Sequence, residues 1–138
     1  MQPDTLFHME HRRWWVFFGP ASQLGWFRPF LRDPQFQHVF ALSPVAEDVP
    51  IVVNPTRNAL EVALPLRPTH EAIRHYLEAG FRCLVVEVDK PDYNLPRRFL
   101  FTTCVTIVAH AMGLGTSALS PKGLWRAMKR AGAREVTI

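Results

Sequence analysis

The sequence predicts an α+β fold in which one antiparallel sheet is packed against helices. Short runs of β-branched and aromatic residues crowd the first half of the chain, and capped helical patterns follow mostly in the second half. The 138 residues are 48% hydrophobic and 20% charged, which suits one domain whose core needs no disulfide or metal. We therefore predict a single domain over 1–138, with a flexible N-terminal segment at 1–12.

Five runs predict strands. The first, Trp14-Trp-Val-Phe-Phe18, ends at Gly19-Pro20 and is typical of a buried strand. The apolar residues of 22–34 are interrupted by Gly25 and Pro29, which indicates a loop with a helical turn. The remaining strands are predicted at 37–42, 50–54, 59–64 and 82–88. The first three of these are expected to form an antiparallel meander, with a turn-rich connection at 43–49.

Three helices are predicted from their start and stop residues. They are 69–79 (Thr69 as N-cap, Gly80 as stop), 104–112 (Gly113 just past its end) and a last helix that starts with Pro121 after the N-cap Ser120 and stops at Gly132. The proline-rich and polar residues 89–98 are predicted to form a loop.

Composition limits the classes of function. The net charge of +4 and the pI near 9.6 favour anionic partners only weakly, and they lack the clustered pattern of a dedicated nucleic-acid binder. Two cysteines without a CxxC pair predict thiols rather than a disulfide framework. The chain has no apolar run of membrane-spanning length and no signal-peptide pattern at its start. We therefore expect a protein without a transmembrane segment that is not exported through a signal peptide.

Cys104 is a candidate nucleophile because it lies in the first turn of an apolar helix. Backbone N–H groups and the positive end of the helix dipole stabilise a thiolate there, and they lower the thiol pKa from its free value of about 8.5. His110 cannot be its base, since six residues of helix separate the two by about 9 Å along the axis. Cys83, inside an apolar strand, is predicted to be a core residue.

His38 and Asn54 are candidates for the base and for the residue that orients it. If the turn between the second and third strands is centred on Ala46, His38 lies directly opposite Asn54, with Cβ atoms about 4.5–5.5 Å apart. A cysteine, a histidine and an asparagine form the thiol-protease version of a nucleophile, a base and an orienting group. We expect the sulfur within about 4 Å of the imidazole. The alternatives are a small core cysteine, a core histidine and an asparagine that caps a strand end.

The order of these motifs resembles the circularly permuted papain-like proteins, which are related to the NlpC-type peptidases and the lecithin retinol acyltransferase group. More closely, the chain resembles small papain-like proteins of bacteria and their phages. The motifs that carry the resemblance are Gln37-His-Val-Phe-Ala-Leu, Ile51-Val-Val-Asn-Pro, Leu60-Glu-Val, Phe101-Thr-Thr-Cys-Val-Thr-Ile-Val, Met112-Gly-Leu and Ser120-Pro-Lys-Gly-Leu.

The resemblance implies a papain-like core with Cys104 as nucleophile, His38 as general base and Asn54 as orienting residue, acting on an amide or ester through a thioester acyl-enzyme. It leaves open whether the substrate is a peptide, for example of the cell wall, or another acyl group. It implies a cytoplasmic or virion-associated protein. The Cys104 N–H is a natural oxyanion donor. For a second donor, Gln23 and Gln35 remain open, whereas Gln37 points away from the face of His38.

A different hypothesis is a catalytically silent papain-like component of a phage particle, associated with its tail. The aromatic residues that could form the patch for structural partner proteins are Trp14, Trp15, Trp26, Phe27 and Phe30. They are equally suited to the core.

The last helix has a basic side, formed by Lys122, Arg126, Lys129 and Arg130. We interpret it mainly as a solvated face, with a nucleic-acid accessory role as the weakest of the three functional hypotheses. Arg97 and Arg98 are candidates to receive a substrate carboxylate.

No metal or other cofactor is predicted. His8 and His11 have no further ligands at suitable spacing, and His70 and His75 point in different directions on a helix.

Overall fold

The structure is a computed structural model that describes residues 12–21, 33–46, 49–56, 59–88 and 104–138. In chain order the elements are β1 (Arg12–Gly19), a 3-10 turn (Pro34–Phe36), β2 (His38–Ala46), β3 (Val49–Pro55), β4 (Leu60–Ala63), α1 (Thr69–Glu78), β5 (Arg82–Val88), α2 (Cys104–Met112), α3 (Pro121–Arg130) and β6 (Arg134–Val136).

The strands form one six-stranded antiparallel sheet in the order β4-β3-β2-β1-β5-β6. The first four strands form a meander, and β5 pairs with the free edge of β1. The described residues therefore have the predicted α+β architecture, with three α-helices packed on the sheet.

The two faces of the sheet carry two separate cores, because successive residues of a strand point to opposite sides. On the face covered by α2 and α3, Phe18 and Val39 pack with Val105 and Leu124; we call this the α2 face. On the other face, which we call the α1 face, the core residues are Phe17, Phe40, Leu42, Val52, Ala72 and Cys83. The side chain of each strand residue can thus be assigned to one face from its position.

The hairpin of β2 and β3 differs from the prediction in length and in register. A register shift between Pro44 and Ala46 lets β2 continue through most of the expected turn, since a proline is tolerated where pairing is irregular. Ala41 pairs with Val53, two residues away from the assumed register, so His38 is not directly opposite Asn54. Because the difference is an even number of residues, both side chains stay on the same face.

Two further predictions about the elements are corrected. Thr69 is the first residue of α1 rather than its N-cap: Pro68 has the extended conformation of the cap, and its carbonyl accepts from the Ala72 N–H. The strand β6 was missed, since three residues are too short to show an alternating pattern.

The predicted start of α3 is confirmed, and α2 begins at Cys104 as far as the described residues extend. The first helical residue of α2 is Cys104, and the Ser120 hydroxyl caps α3 by accepting from the Gly123 N–H at 3.0 Å. Residues 1–11 of the expected flexible segment lie outside the described residues. The last residue of that segment, Arg12, begins β1. Most of the loop at 22–34 and the loop at 89–98 also lie outside the described residues.

Candidate active site

His38 and Asn54 meet on the α1 face. His38 is the first residue of β2 and pairs with Gly19 of β1. Its ring lies 6.2 Å from that of Phe40, the next residue of β2 on this face. The Nε2 atom of His38 lies 2.7 Å from Oδ1 of Asn54 in β3, which is a short side-chain hydrogen bond. The pair predicted from the hairpin is therefore formed, although the two residues lie diagonally across the neighbouring strands rather than directly opposite each other.

Glu61 extends this pair onto a third strand. Asn54 and Glu61 are direct partners in the β3–β4 pairing, and Nδ2 of Asn54 donates to Oε2 of Glu61 at 3.1 Å. The sequence interpretation missed Glu61. The signal that points to it is its place in the alternating run at 59–64, which would have put it beside Asn54 once the register of β3 and β4 was known.

Cys104 is a half-buried residue at the start of α2, where it packs against the core of the α2 face. Burial raises the pKa of its thiol above the ordinary value, against the opposing effect of backbone hydrogen bonds from Val39, Val105 and Cys104 itself. These contacts lower the pKa, so they come from N–H groups, which can stabilise a thiolate. The expected pKa-lowering environment of a helix start is thus present, but desolvation outweighs it.

The structure places Cys104 and His38 on opposite faces of the sheet. The backbone of Val39, next in sequence to His38, contacts the sulfur, and the Val39 side chain belongs to the α2 core. His38 points the other way, towards Phe40 and Asn54. This placement differs from the expectation that the sulfur faces the imidazole. The physical reason is that adjacent residues of a strand alternate between faces.

The second cysteine has the environment of a core residue, as predicted. Cys83 is fully buried on the α1 face, and burial raises the pKa of its thiol to about 12. The two thiols therefore differ in surroundings: Cys104 lies at the edge of a core beside three backbone N–H groups, and Cys83 lies inside a strand beside one, that of Val16.

The two described glutamines near the site have structural partners. Nε2 of Gln35 donates to the Phe18 carbonyl at 2.9 Å, and Oε1 of Gln37 accepts from the Ala21 N–H at 3.1 Å. These bonds tie the segment before β2 to the end of β1. The third candidate, Gln23, lies outside the described residues, as do Arg97 and Arg98.

Of the aromatic residues expected at a partner patch, Trp14 is buried in the core of the α2 face and Trp15 is half-buried. Trp26, Phe27 and Phe30 lie outside the described residues. Trp14 is therefore a core residue.

The last helix has the predicted two sides. Leu124 and Met128 are buried, and the exposed basic residues are Lys122, Arg126, Lys129 and Arg130. The guanidinium of Arg82 lies 4.4 Å from the centre of the Trp125 ring and pairs with Glu135, which fixes α3 against β5 and β6.

The described part of the chain contains no group of three His, Cys, Asp or Glu side chains arranged to hold a metal ion. His70 and His75 are both exposed on α1, and His8 and His11 lie outside that part. Nor does any helix in it have the length and apolarity needed to cross a membrane. Comparisons with protein-family models, curated proteins and solved structures find no match for this chain.

Proposed function

We propose that this protein is a cysteine hydrolase of permuted papain-like fold that acts on a peptide or another amide or ester. Cys104 is the nucleophile, His38 the general base and Asn54 the residue that orients the base. The observation that carries the proposal is the 2.7 Å hydrogen bond between His38 Nε2 and Asn54 Oδ1. Because an amide oxygen only accepts, this bond requires a proton on Nε2 and leaves Nδ1 as the basic nitrogen.

In the proposed reaction Nδ1 of His38 takes the thiol proton, and the sulfur attacks the carbonyl carbon of the substrate. The imidazolium then protonates the leaving amine or alcohol as its bond to carbon breaks, which leaves a thioester on Cys104. Water, deprotonated by His38, attacks the thioester, and the thiol is regenerated with release of the acid. The N–H groups of Cys104 and Val39, both beside the sulfur, are suited to stabilise the oxyanion.

This reaction requires His38 and Asn54 to approach the sulfur around the end of the β2–β3 hairpin. The paired residues of β2 and β3 extend no further towards this end than Ala41 and Val53, so both side chains lie beyond the last pair. The contact between the sulfur and the Val39 backbone places the sulfur next to the residue that follows His38. The movement that the proposal requires therefore involves the pairing of His38 with Gly19 of β1 and of Asn54 with Glu61 of β4.

Alkylation by iodoacetamide at neutral pH tests the proposal. Because burial raises the pKa of both thiols, rapid modification of Cys104 requires an acceptor for its proton. We expect Cys104 to react much faster than Cys83 in the folded protein, as measured by mass spectrometry of the peptides.

Variants of the two partner residues complete this test. We expect His38→Ala to slow the reaction of Cys104 at least tenfold, and Asn54→Ala to slow it about fivefold, the loss of one hydrogen bond of about 1 kcal/mol. His75→Ala, which removes an exposed histidine of α1, is the matched control and should change nothing. An unchanged rate in His38→Ala would remove the activated nucleophile from the proposal. Faster alkylation in Asn54→Ala would show that Asn54 holds the base away from the sulfur.

A second candidate is a catalytically silent papain-like component of a phage particle. The opposite-face placement of Cys104 and His38 favours it, and so does the outer strand of the sheet. Leu60, Val62 and Leu64, in and next to β4, are 52%, 58% and 61% exposed, which is suited to a protein partner. This candidate predicts co-purification with particle proteins and normal assembly by a Cys104→Ala variant. Failure of assembly in that variant would count against it.

A further inference from the structure

We infer that Glu61 is a positioning residue that selects the protonation tautomer of His38 through Asn54. The inference deepens the proposed function and depends on it for its catalytic meaning. It starts from two hydrogen bonds that cross three neighbouring strands: Glu61 Oε2 accepts from Asn54 Nδ2 at 3.1 Å, and Asn54 Oδ1 lies 2.7 Å from His38 Nε2.

The chemistry of the three groups fixes the direction of these bonds. An ionised carboxylate has oxygen acceptors only, so the amide of Asn54 must turn its NH₂ group towards Glu61. The amide oxygen then faces His38, and a neutral imidazole can bond to that oxygen only through a protonated Nε2. Nδ1 consequently keeps its lone pair. The charge on β4 thus decides which nitrogen on β2, two strands away, is the base.

The backbone supports this assignment. Asn54 and Glu61 are direct partners in the pairing of β3 with β4, so their Cβ atoms are held close on one face. Without the carboxylate, the amide of Asn54 can turn by 180° and present NH₂ to the imidazole, which would then accept at Nε2 and carry its proton on Nδ1. That tautomer has no basic nitrogen at Nδ1. The carboxylate therefore prevents a loss of function that the asparagine alone permits.

The tautomer of His38 can be read directly from the ¹⁵N chemical shifts of its ring at a pH where the imidazole is neutral. We expect the Nε2–H tautomer to dominate in the unchanged protein. In Glu61→Gln, whose amide can either accept or donate, the preference should fall by about threefold to tenfold, as for the loss of a charge-assisted bond at an exposed site. Glu61→Asp, which keeps an acceptor-only carboxylate, should restore part of the preference.

Glu87→Gln is the matched control, since Glu87 is an exposed strand residue that pairs with Arg13, at the opposite end of β1 from Gly19, the partner of His38. It should leave the His38 shifts unchanged. An unaltered tautomer in Glu61→Gln would overturn the inference, and so would a dominant Nδ1–H tautomer in the unchanged protein. The measurement needs no turnover. A tautomer that responds to Glu61 while alkylation of Cys104 ignores His38 would leave the inference standing and remove the proposed function.

Discussion

Replacing Gly19 by alanine should destabilise the protein through a steric conflict with one aromatic ring. A Cβ atom at Gly19 would lie 2.5 Å from Cε1 and 3.1 Å from Cγ of Phe81, closer than van der Waals contact allows. The ring of Phe81 cannot move aside freely, because it packs edge-on against Phe40 at 5.1 Å and Tyr76 at 6.4 Å between ring centres. Gly19 is therefore needed here because only a residue without a side chain lets the ring of Phe81 pack this close to β1.

The size of the effect follows from two opposing contributions. Forcing an extra carbon into a packed site costs about 1–3 kcal/mol. Gly19 does not have a left-handed backbone conformation, so alanine also reduces the entropy of the unfolded chain and restores about 0.4–1 kcal/mol. We expect a net loss of about 1–2 kcal/mol in the free energy of unfolding of Gly19→Ala.

Urea denaturation of Gly19→Ala, Phe81→Ala and the double variant measures the conflict directly. Once Phe81 is removed, only the entropic gain remains, and Gly19→Ala should become neutral or slightly stabilising. The coupling free energy between the two substitutions is then about 2 kcal/mol, well above the deviation from additivity that is found for independent sites. Phe81→Leu replaces Phe81→Ala if the latter does not fold. A cost of Gly19→Ala that is the same with and without the ring would refute the steric explanation.

Three other predictions concern the thiol in the strand and the ends of α3. The raised pKa of Cys83 implies that its contribution to stability is full below the ordinary thiol pKa and is lost as the pH rises towards about 12, at up to about 1.4 kcal/mol per pH unit. In urea titrations at several pH values, Cys83→Ala should remove this contribution and leave those of Cys104 and Tyr76, whose pKa values are also raised. Ser120→Ala removes the acceptor of the Gly123 N–H and should cost about 1 kcal/mol, measured by the same denaturation, and no loss would mean that the cap is dispensable. Gly132→Ala should lower the free energy of unfolding by about 1–2 kcal/mol, because Gly132 has the left-handed φ of +94°. Its Cβ would meet nothing within 4 Å, so the loss comes from the backbone conformation alone. An unchanged thermal midpoint would contradict this.

The elements that the sequence predicts well are those set by local chemistry. Ser120 and Pro121 define the start of α3, and the apolar pattern after Cys104 defines α2, because capping and helical periodicity depend on neighbours within one turn. The His38–Asn54 pair was predicted for a related reason. An error of two residues in register preserves the face of each side chain, so the alternation of β2 and β3 was enough to bring the two together.

The parts that could not be predicted depend on contacts between distant segments. The register shift at Pro44 depends on how β2 meets β3, and Glu61 joins the site only through the pairing of β3 with β4. The pKa of Cys104 is raised because the start of α2 is desolvated by the sheet beneath it, whereas helix position alone indicates a lowered value. The depth of a residue in the core is a tertiary property, and a spacing rule contains no information about it.

The separation of Cys104 from His38 onto two faces of the sheet has the same origin. The alternation of β2 sends the side chain of Val39 to α2 and that of His38 to α1, so the sulfur and the imidazole are neighbours of consecutive backbone units. What lies between them is the start of β2, which is paired with β1 as far as His38 and Gly19. To bring the imidazole to the sulfur, the first residues of β2 would have to change conformation, and this change would involve the fully buried Val39 of the α2 face and the pairing of His38 with Gly19.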